Sequence, residues 1–481
     1  MGINFRIIFR ILGLLLLIEG LCIALCLSAS FMYNEEYLPL ILSSSVTIII
    51  GVLLYFLSAP RSYSLMKREG YLIVTLGWIF FSLFGALPFI LSGHLSCYTD
   101  AFFETISGFT TTGASVINNI EALPAYLLLW RSFTQWLGGM GIIVLSLAIL
   151  PMLGIGGMQL FIAEVPGPTA DKIHPRVKET AKRLWVIYFI FTFVETVLLK
   201  LGGMSWFDAI NHSFTTMATG GYSTKQESIA YYNSPYIHYI ITLFMFIAGA
   251  NFAVSYFAMH FQFKKVFCNE EFMYYLYIVL FFVVILSLAL FCRGYCVEEA
   301  FRLAAFQVVS IITTTGFATD NYLLWGPLAV TVMFLLMFIG SSAGSTGGGI
   351  KVVRVLVFIK NAFLELKRIL HPNALVPVRL NDKTLAPDIL IDIIVFISFY
   401  LLMVVIGVLV MSSLGLDLET SLGSVTATLG NIGPGIGNVG PADNFAFIPA
   451  AGKWFLSFLM LVGRLELFTV LIILFPAFWR N

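Results

Sequence analysis

Apolar residues run along this chain in stretches of roughly twenty, separated by shorter segments where hydroxyls, glycines and acids take over. A helix of about 20 apolar residues crosses the hydrocarbon core of a bilayer. The pattern predicts ten spans, near 11–31, 37–58, 71–92, 127–151, 184–203, 235–261, 272–292, 323–341, 389–414 and 454–475. The first two have no special loop after them. The other eight fall into pairs, and each pair encloses one semi-polar segment too short to cross. The layout is therefore span–loop–span four times, a repeat carried by arrangement rather than by identity. The fold expected is an all-α polytopic membrane protein. It would have two N-terminal spans (1–69) and four repeats (70–152, 153–263, 264–386 and 387–481) around one pseudo-fourfold pore.

The four enclosed segments echo one another. The first runs from Asp100 to Thr110-Thr111-Thr112-Gly113-Ala114-Ser115, the second from Asp208 to Thr219-Gly220-Gly221-Tyr222-Ser223. The third runs from Glu298-Glu299 to Thr313-Thr314-Thr315-Gly316-Phe317, the fourth from Glu419 to Gly430-Asn431-Ile432-Gly433-Pro434. One Thr-Thr-Gly turn is a common helix connector. Four in matching slots are a strong signal.

Composition agrees with a membrane protein: 59% of residues are hydrophobic and 11% charged, too little charge for a soluble surface of 481 residues. A net charge of +1 excludes the basic face that a nucleic-acid partner needs. The first apolar run lacks a small-residue cleavage site and reads as a retained helix. Six cysteines are scattered without a disulfide or zinc pattern. Lysine and arginine gather in alternate loops, around Arg61 to Arg68, Lys172 to Arg183, Lys264-Lys265 and Lys351 to Lys383. That bias puts both termini in the cytoplasm and all four special loops outside. Between Val352 and Leu370, apolar residues at helical spacing alternate with Arg354, Lys360, Lys367 and Arg368. This predicts an amphipathic helix, serving as a solvated connector or as a docking surface.

Irregular backbone at membrane depth is tolerated only where it lines a polar cavity, so four such loops suit one water-filled axis. Carbonyls there can replace an ion's hydration shell. The expected filter is Thr111, Thr112 and Gly113; Thr219, Gly220 and Gly221; Thr314, Thr315 and Gly316; and Asn431, Ile432 and Gly433. Glycine lets the chain turn without a Cβ, and threonine hydroxyls are expected as added oxygen ligands for a hard cation. Asp100, Asp208, Glu299 and Glu419 are expected to cap short helices and to give a negative outer mouth.

Taken together these motifs resemble the Trk/Ktr/HKT superfamily of potassium transporters, and its bacterial Trk branch above all. The resemblance spans essentially the whole chain, including Met217-Ala-Thr-Gly-Gly-Tyr-Ser, Ser345-Thr-Gly-Gly-Gly-Ile-Lys351 and the lone Arg464 in the last span. It implies K+ as the transported ion, with glycine at 113 favouring potassium over sodium. It also implies a gate across the pathway, built from Gly344, Ser345, Thr346, Gly347, Gly348, Gly349 and Lys351 within or beside the 340–349 loop, with Arg464 against it. Further implied are a homodimer, a cytoplasmic nucleotide-binding regulatory ring, and residence in the bacterial inner membrane. The fourth loop departs most, with Gly430-Asn431-Ile432 in place of threonines. A proton- or sodium-coupled symporter and the pore subunit of a potassium-pumping ATPase remain open as alternatives. Glu19 and Glu195 lie in apolar spans without an assigned role. Gly435-Ile-Gly-Asn-Val-Gly440 follows no strand and fails as a dinucleotide site, and no nucleophile–base pair points to an enzyme.

Overall fold

The computed structural model describes residues 3–58, 66–141, 177–371, 376–381 and 383–480. The end of the span expected at 127–151 and residues 172–176 of the basic stretch 172–183 lie outside them. Helices dominate: α1 (Phe5–Leu25), α2 (Leu27–Tyr33), α3 (Leu38–Leu57), α4 (Lys67–Gly85), α5 (Leu87–Leu91), α6 (Tyr98–Phe109) and α7 (Ala125–Trp136). Then come α8 (Val177–Leu201), α9 (Trp206–Met217), α10 (Pro235–Gly249), α11 (Phe252–Met259), α12 (Phe263–Phe267), α13 (Glu270–Phe291) and α14 (Val297–Ile312). The rest are α15 (Pro327–Leu336), α16 (Val352–Leu370), α17 (Pro387–Ser413), α18 (Leu418–Leu429), α19 (Ala450–Arg464), α20 (Phe468–Leu474) and α21 (Pro476–Trp479). A two-residue antiparallel pair, Arg379–Leu380 with Lys383–Thr384, is the small departure from an all-helical chain.

Several of the ten expected spans are bent or short where they are described. Among the described residues six helical stretches are long and apolar enough to cross a membrane, or eight if each bent pair counts as one span. Helices α10 and α11 meet at 113°, and α19 and α20 at 120°. The expected span 323–341 contains only α15, ten residues long. Each break has a local cause that hydropathy does not register. Asn251 turns its side chain to the Ala253 N–H and starts a new helix at α11. Glu466 and Leu467 both adopt left-handed backbone (φ 54° and 57°), so α19 cannot continue into α20. Past α15 the chain meets the glycine-rich segment and stays irregular until Val352.

The arrangement that matters is the placement of α6, α9, α14 and α18. All four are short, and each packs between two other helices: α6 against α4 and α19, α9 against α7 and α8, α14 against α10 and α13, α18 against α17 and α19. Along α6 every residue from Ala101 to Phe109 is buried, and α18 is buried from Thr420 to Leu429 except at Leu422. Side chains such as Ser107, Thr216, Ser310 and Thr428 are therefore enclosed. The amphipathic stretch Val352–Leu370 is one helix, α16, with Val352, Val353, Leu356 and Val357 buried and its last two turns exposed.

Candidate functional site

Each short helix ends in the same backbone motif. The residue just past the C-cap is left-handed: Thr111 at φ 53°, Thr219 at 52°, Thr314 at 58° and Asn431 at 54°. Its N–H bonds three residues back, to Gly108, Thr216, Ile311 and Thr428 respectively. The next N–H bonds five residues back: Thr112 to Ser107, Gly220 to Thr215, Thr315 to Ser310 and Ile432 to Ala427, all at 2.8–2.9 Å. This is the Schellman ending, which usually has glycine at the left-handed position. A β-branched residue there is strained by about 1–3 kcal/mol. Two residues further on, Gly113, Gly221, Gly316 and Gly433 are left-handed again, at φ 81°, 77°, 80° and 100°.

These glycines close a ring. A Cβ on Gly113 would lie 2.1 Å from the Gly220 carbonyl oxygen, one on Gly221 2.0 Å from that of Thr315, and one on Gly316 2.0 Å from that of Ile432. The circuit returns at Gly433, whose Cβ would lie 2.8 Å from the Thr112 carbonyl oxygen. Equivalent carbonyls from four loops thus sit edge to edge with equivalent glycines, in the order one, two, three, four. All four glycines line one cavity, whose charged lining groups are Arg131, Lys225 and Asp443. The C-terminal, negative ends of four helices converge on this ring, an arrangement that attracts cations.

Against the other side of the ring lies the segment between α15 and α16. It is pinched at its base, where the Gly340 N–H bonds the Ile350 carbonyl (2.8 Å) and the Val352 N–H bonds that of Ser341 (3.1 Å). Its tip touches three of the four left-handed positions and reaches the fourth, Thr111, through Arg464. Gly348 N–H donates to Thr314 Oγ1 at 2.8 Å, and Thr346 Oγ1 lies 3.2 Å from Thr219 Oγ1. A Cβ on Gly348 would meet Asn431 Cβ at 2.9 Å. Arg464 joins the tip to the first loop: Nη1 donates to Thr346 O (2.6 Å) and Thr111 Oγ1 (2.9 Å), and Nη2 to Gly138 O (2.6 Å) and Gly139 O (2.9 Å). Lys351 Nζ donates to the Gly347 carbonyl. The half-buried guanidinium thus donates to three backbone carbonyls and a hydroxyl, and an arginine at membrane depth needs such acceptors.

The TrkH family of cation transport proteins matches residues 40–480. The Trk system potassium uptake proteins TrkH of Salmonella typhimurium and of Escherichia coli K12 are each 43% identical over 485 residues, covering 99% of this chain and all of theirs. The crystal structure of the potassium transporter TrkH from Vibrio parahaemolyticus superposes with a TM-score of 0.89 at 38% identity, over 99% of this chain and 100% of that one. The chain belongs to the TrkH family. It is an all-helical, multi-pass membrane protein with bent, re-entrant pairs.

With that family in view, the fate of the sequence expectations is uneven. All twelve residues expected of the filter lie in the ring and the layer beneath it. Their hydroxyls are held by hydrogen bonds around the ring. Thr111, Thr219 and Thr314 are tied to Arg464 or the glycine segment, Thr112 to Thr110 and Asn431, and Thr315 to Thr313. The ring itself is left to carbonyls. The four acids sit apart from the ring. Asp100, Asp208, Glu299 and Glu419 lie in the first turns of α6, α9, α14 and α18, a helix length or about 18 Å from the ring, and none lines the cavity. Nor do they cap: Ser205 and Asp417 do so in the second and fourth helices, and Asp208 accepts from Ser205 and Thr224. Asp100 pairs with Lys453 at 2.6 Å, joining α6 to α19.

Sequence reasoning missed the buried Glu104–Arg131 pair (2.6 Å) and Gln135, whose amide donates to the Gly220 carbonyl (2.7 Å) and accepts from the Tyr222 N–H (3.1 Å). The signal was present as opposite charges, one inside the semi-polar segment before Gly113 and one inside the span after it. His212 bonds the Asp208 carbonyl and Ser223 Oγ.

Proposed function

We propose that the chain takes up potassium as the membrane subunit of a bacterial Trk-type system, through a selective, gated pore. The closed ring of four glycine–carbonyl contacts carries this reading. Such a ring offers a dehydrated cation several oxygens at once, which is what a filter for a hard monovalent ion needs. In this account residues 1–69 precede four repeats, at 70–152, 153–263, 264–386 and 387–481, around one pseudo-fourfold axis, with both termini cytoplasmic. The carbonyls of Thr112, Gly220, Thr315 and Ile432 form the ion site, and Gly113, Gly221, Gly316 and Gly433 make room for them. The layer of Thr111, Thr219, Thr314 and Asn431 seats the gate, which comprises Gly344 to Gly349, Lys351 and Arg464. K+ is cargo rather than cofactor, and the protein is not an enzyme. By kinship with Trk system proteins it works in the inner membrane as a homodimer on a cytoplasmic nucleotide-binding ring.

The test is potassium flux in liposomes under an imposed voltage, without a sodium or proton gradient. Flux that follows the voltage alone is expected. Flux that appears only when a proton or sodium gradient is added favours a coupled symporter instead.

A further inference from the structure

Counting back nine residues from each ring glycine reaches Glu104, His212, Gln307 and Ser424. All four are buried, at 0–1% exposure, on α6, α9, α14 and α18. In three repeats this side chain reaches across to the chain that leaves the ring. Glu104 accepts from Ser115 Oγ (3.1 Å) and the Val116 N–H (2.9 Å). His212 Nε2 meets Ser223 Oγ at 3.0 Å, and Gln307 donates to the Asp320 carbonyl at 3.2 Å. In the fourth repeat Ser424 bonds only within its own helix. There Gly423 lets backbone meet backbone, since its Cβ would lie 2.2 Å from the Ile436 carbonyl oxygen.

Repeat one adds a charge. Arg131, from α7, holds Glu104 at 2.6 Å, donates to the Ser223 carbonyl at 3.0 Å and lies 3.6 Å above the Tyr222 ring centre. Tyr222 in turn donates to the Glu104 carbonyl at 2.7 Å. One buried cluster therefore fixes loop two against loop one, at the seam where Gly113 meets the Gly220 carbonyl.

We propose that the position nine residues before the ring glycine braces the filter from behind in repeats one to three, and that the Glu104–Arg131 pair with Tyr222 is a specificity-determining brace that sets the spacing of the ring at its first seam. The argument rests on the ring being the ion filter. A carbonyl cage distinguishes ions only if it resists collapsing onto the smaller one, and a charge-assisted, fully buried network supplies that resistance. Arginine is required here because its planar fork bonds both loops while stacking on tyrosine, which an ammonium cannot do.

The experiment compares potassium-over-sodium permeability ratios, from bi-ionic reversal potentials of purified protein in liposomes, with Tm measured alongside. Arg131→Lys keeps the buried charge but not the fork. The double variant Glu104→Gln with Arg131→Met removes both charges, and buried pairs removed together are commonly tolerated by a fold. Both should lose about tenfold or more of the ratio, the size of one charge-assisted hydrogen bond. Ser424→Ala, which breaks no brace, should keep it, and Gly113→Ser should lose it. A purely structural pair would lower Tm and leave the ratio alone. Retention of the wild-type ratio in whichever of the two Arg131 variants is monodisperse overturns the brace, provided Gly113→Ser loses it. An equal loss in Ser424→Ala also overturns it. If Gly113→Ser keeps the ratio too, the filter reading fails with it.

Discussion

Loops one to three carry threonine at the left-handed position, whereas loop four carries Asn431, yet the backbone angle is 52–58° throughout. The seams differ more. At the first three, the glycine sits within 2.0–2.1 Å, by Cβ, of the next loop's carbonyl, and at the seam from loop four to loop one it sits at 2.8 Å. That looser seam is also crossed by side chains. Asn431 Nδ2 donates to Thr112 Oγ1 (2.9 Å), Arg464 to Thr111 Oγ1 (2.9 Å), and Lys453 to Asp100 (2.6 Å). The pseudo-symmetry therefore lives in backbone conformation, and each repeat reaches it with its own chemistry. Asparagine tolerates left-handed backbone better than threonine, so loop four needs less support from its surroundings to hold the turn.

The largest expected effect breaks the tight seams. Gly113→Ser, Gly221→Ser or Gly316→Ser each places a Cβ onto a carbonyl at positive φ. Each should reduce potassium-over-sodium selectivity by roughly tenfold or more, the effect of about 1.4 kcal/mol between two ions. Gly433→Ser should lose clearly less. Equal losses at all four, read as reversal potentials, would remove the distinction between tight and loose seams.

Next comes the tie through Arg464. Arg464→Ala, or a deletion within Gly344–Gly349, should raise potassium flux through purified protein lacking its regulatory partner, while the sodium/potassium ratio stays put. Variants that conduct no faster than wild type would contradict the gate. A shifted ratio would place these residues in the filter.

How much of this was legible beforehand depends on what hydropathy and motif spacing can report. The four Thr/Asn–x–Gly loops were readable because the residue types at the turn are few and recur in matching slots. The bends in two of the ten spans were not legible because Asn251 and the Glu466–Leu467 turn break helices without lowering local hydropathy. The acids were legible as first-turn residues of the short helices, whereas the length of helix that holds Asp100 apart from Gly113 shows only in the fold. Arg131 was passed over because its partner lies 27 positions away, and only folding brings the two together.

A smaller effect sharpens the contrast at the left-handed position. Asn431→Thr makes loop four chemically like the others but loses the bonds to Thr112 Oγ1 and the Met460 carbonyl. It should cost about 1–3 kcal/mol of stability, read as a lower Tm in detergent. Thr314→Asn, the reverse exchange, should cost less. The smallest effect is at the rim, where Lys453→Met removes a partly exposed pair and should cost about 1 kcal/mol or less, with selectivity unchanged.

The central claim is that four carbonyls from four loops hold the transported ion. It is tested most directly by anomalous diffraction from crystals grown with thallium in place of potassium. The account predicts one strong peak on the axis, within coordination distance of the carbonyl oxygens of Thr112, Gly220, Thr315 and Ile432. A map with no peak inside that ring, or with its strongest peak beside the threonine hydroxyls instead, would contradict it.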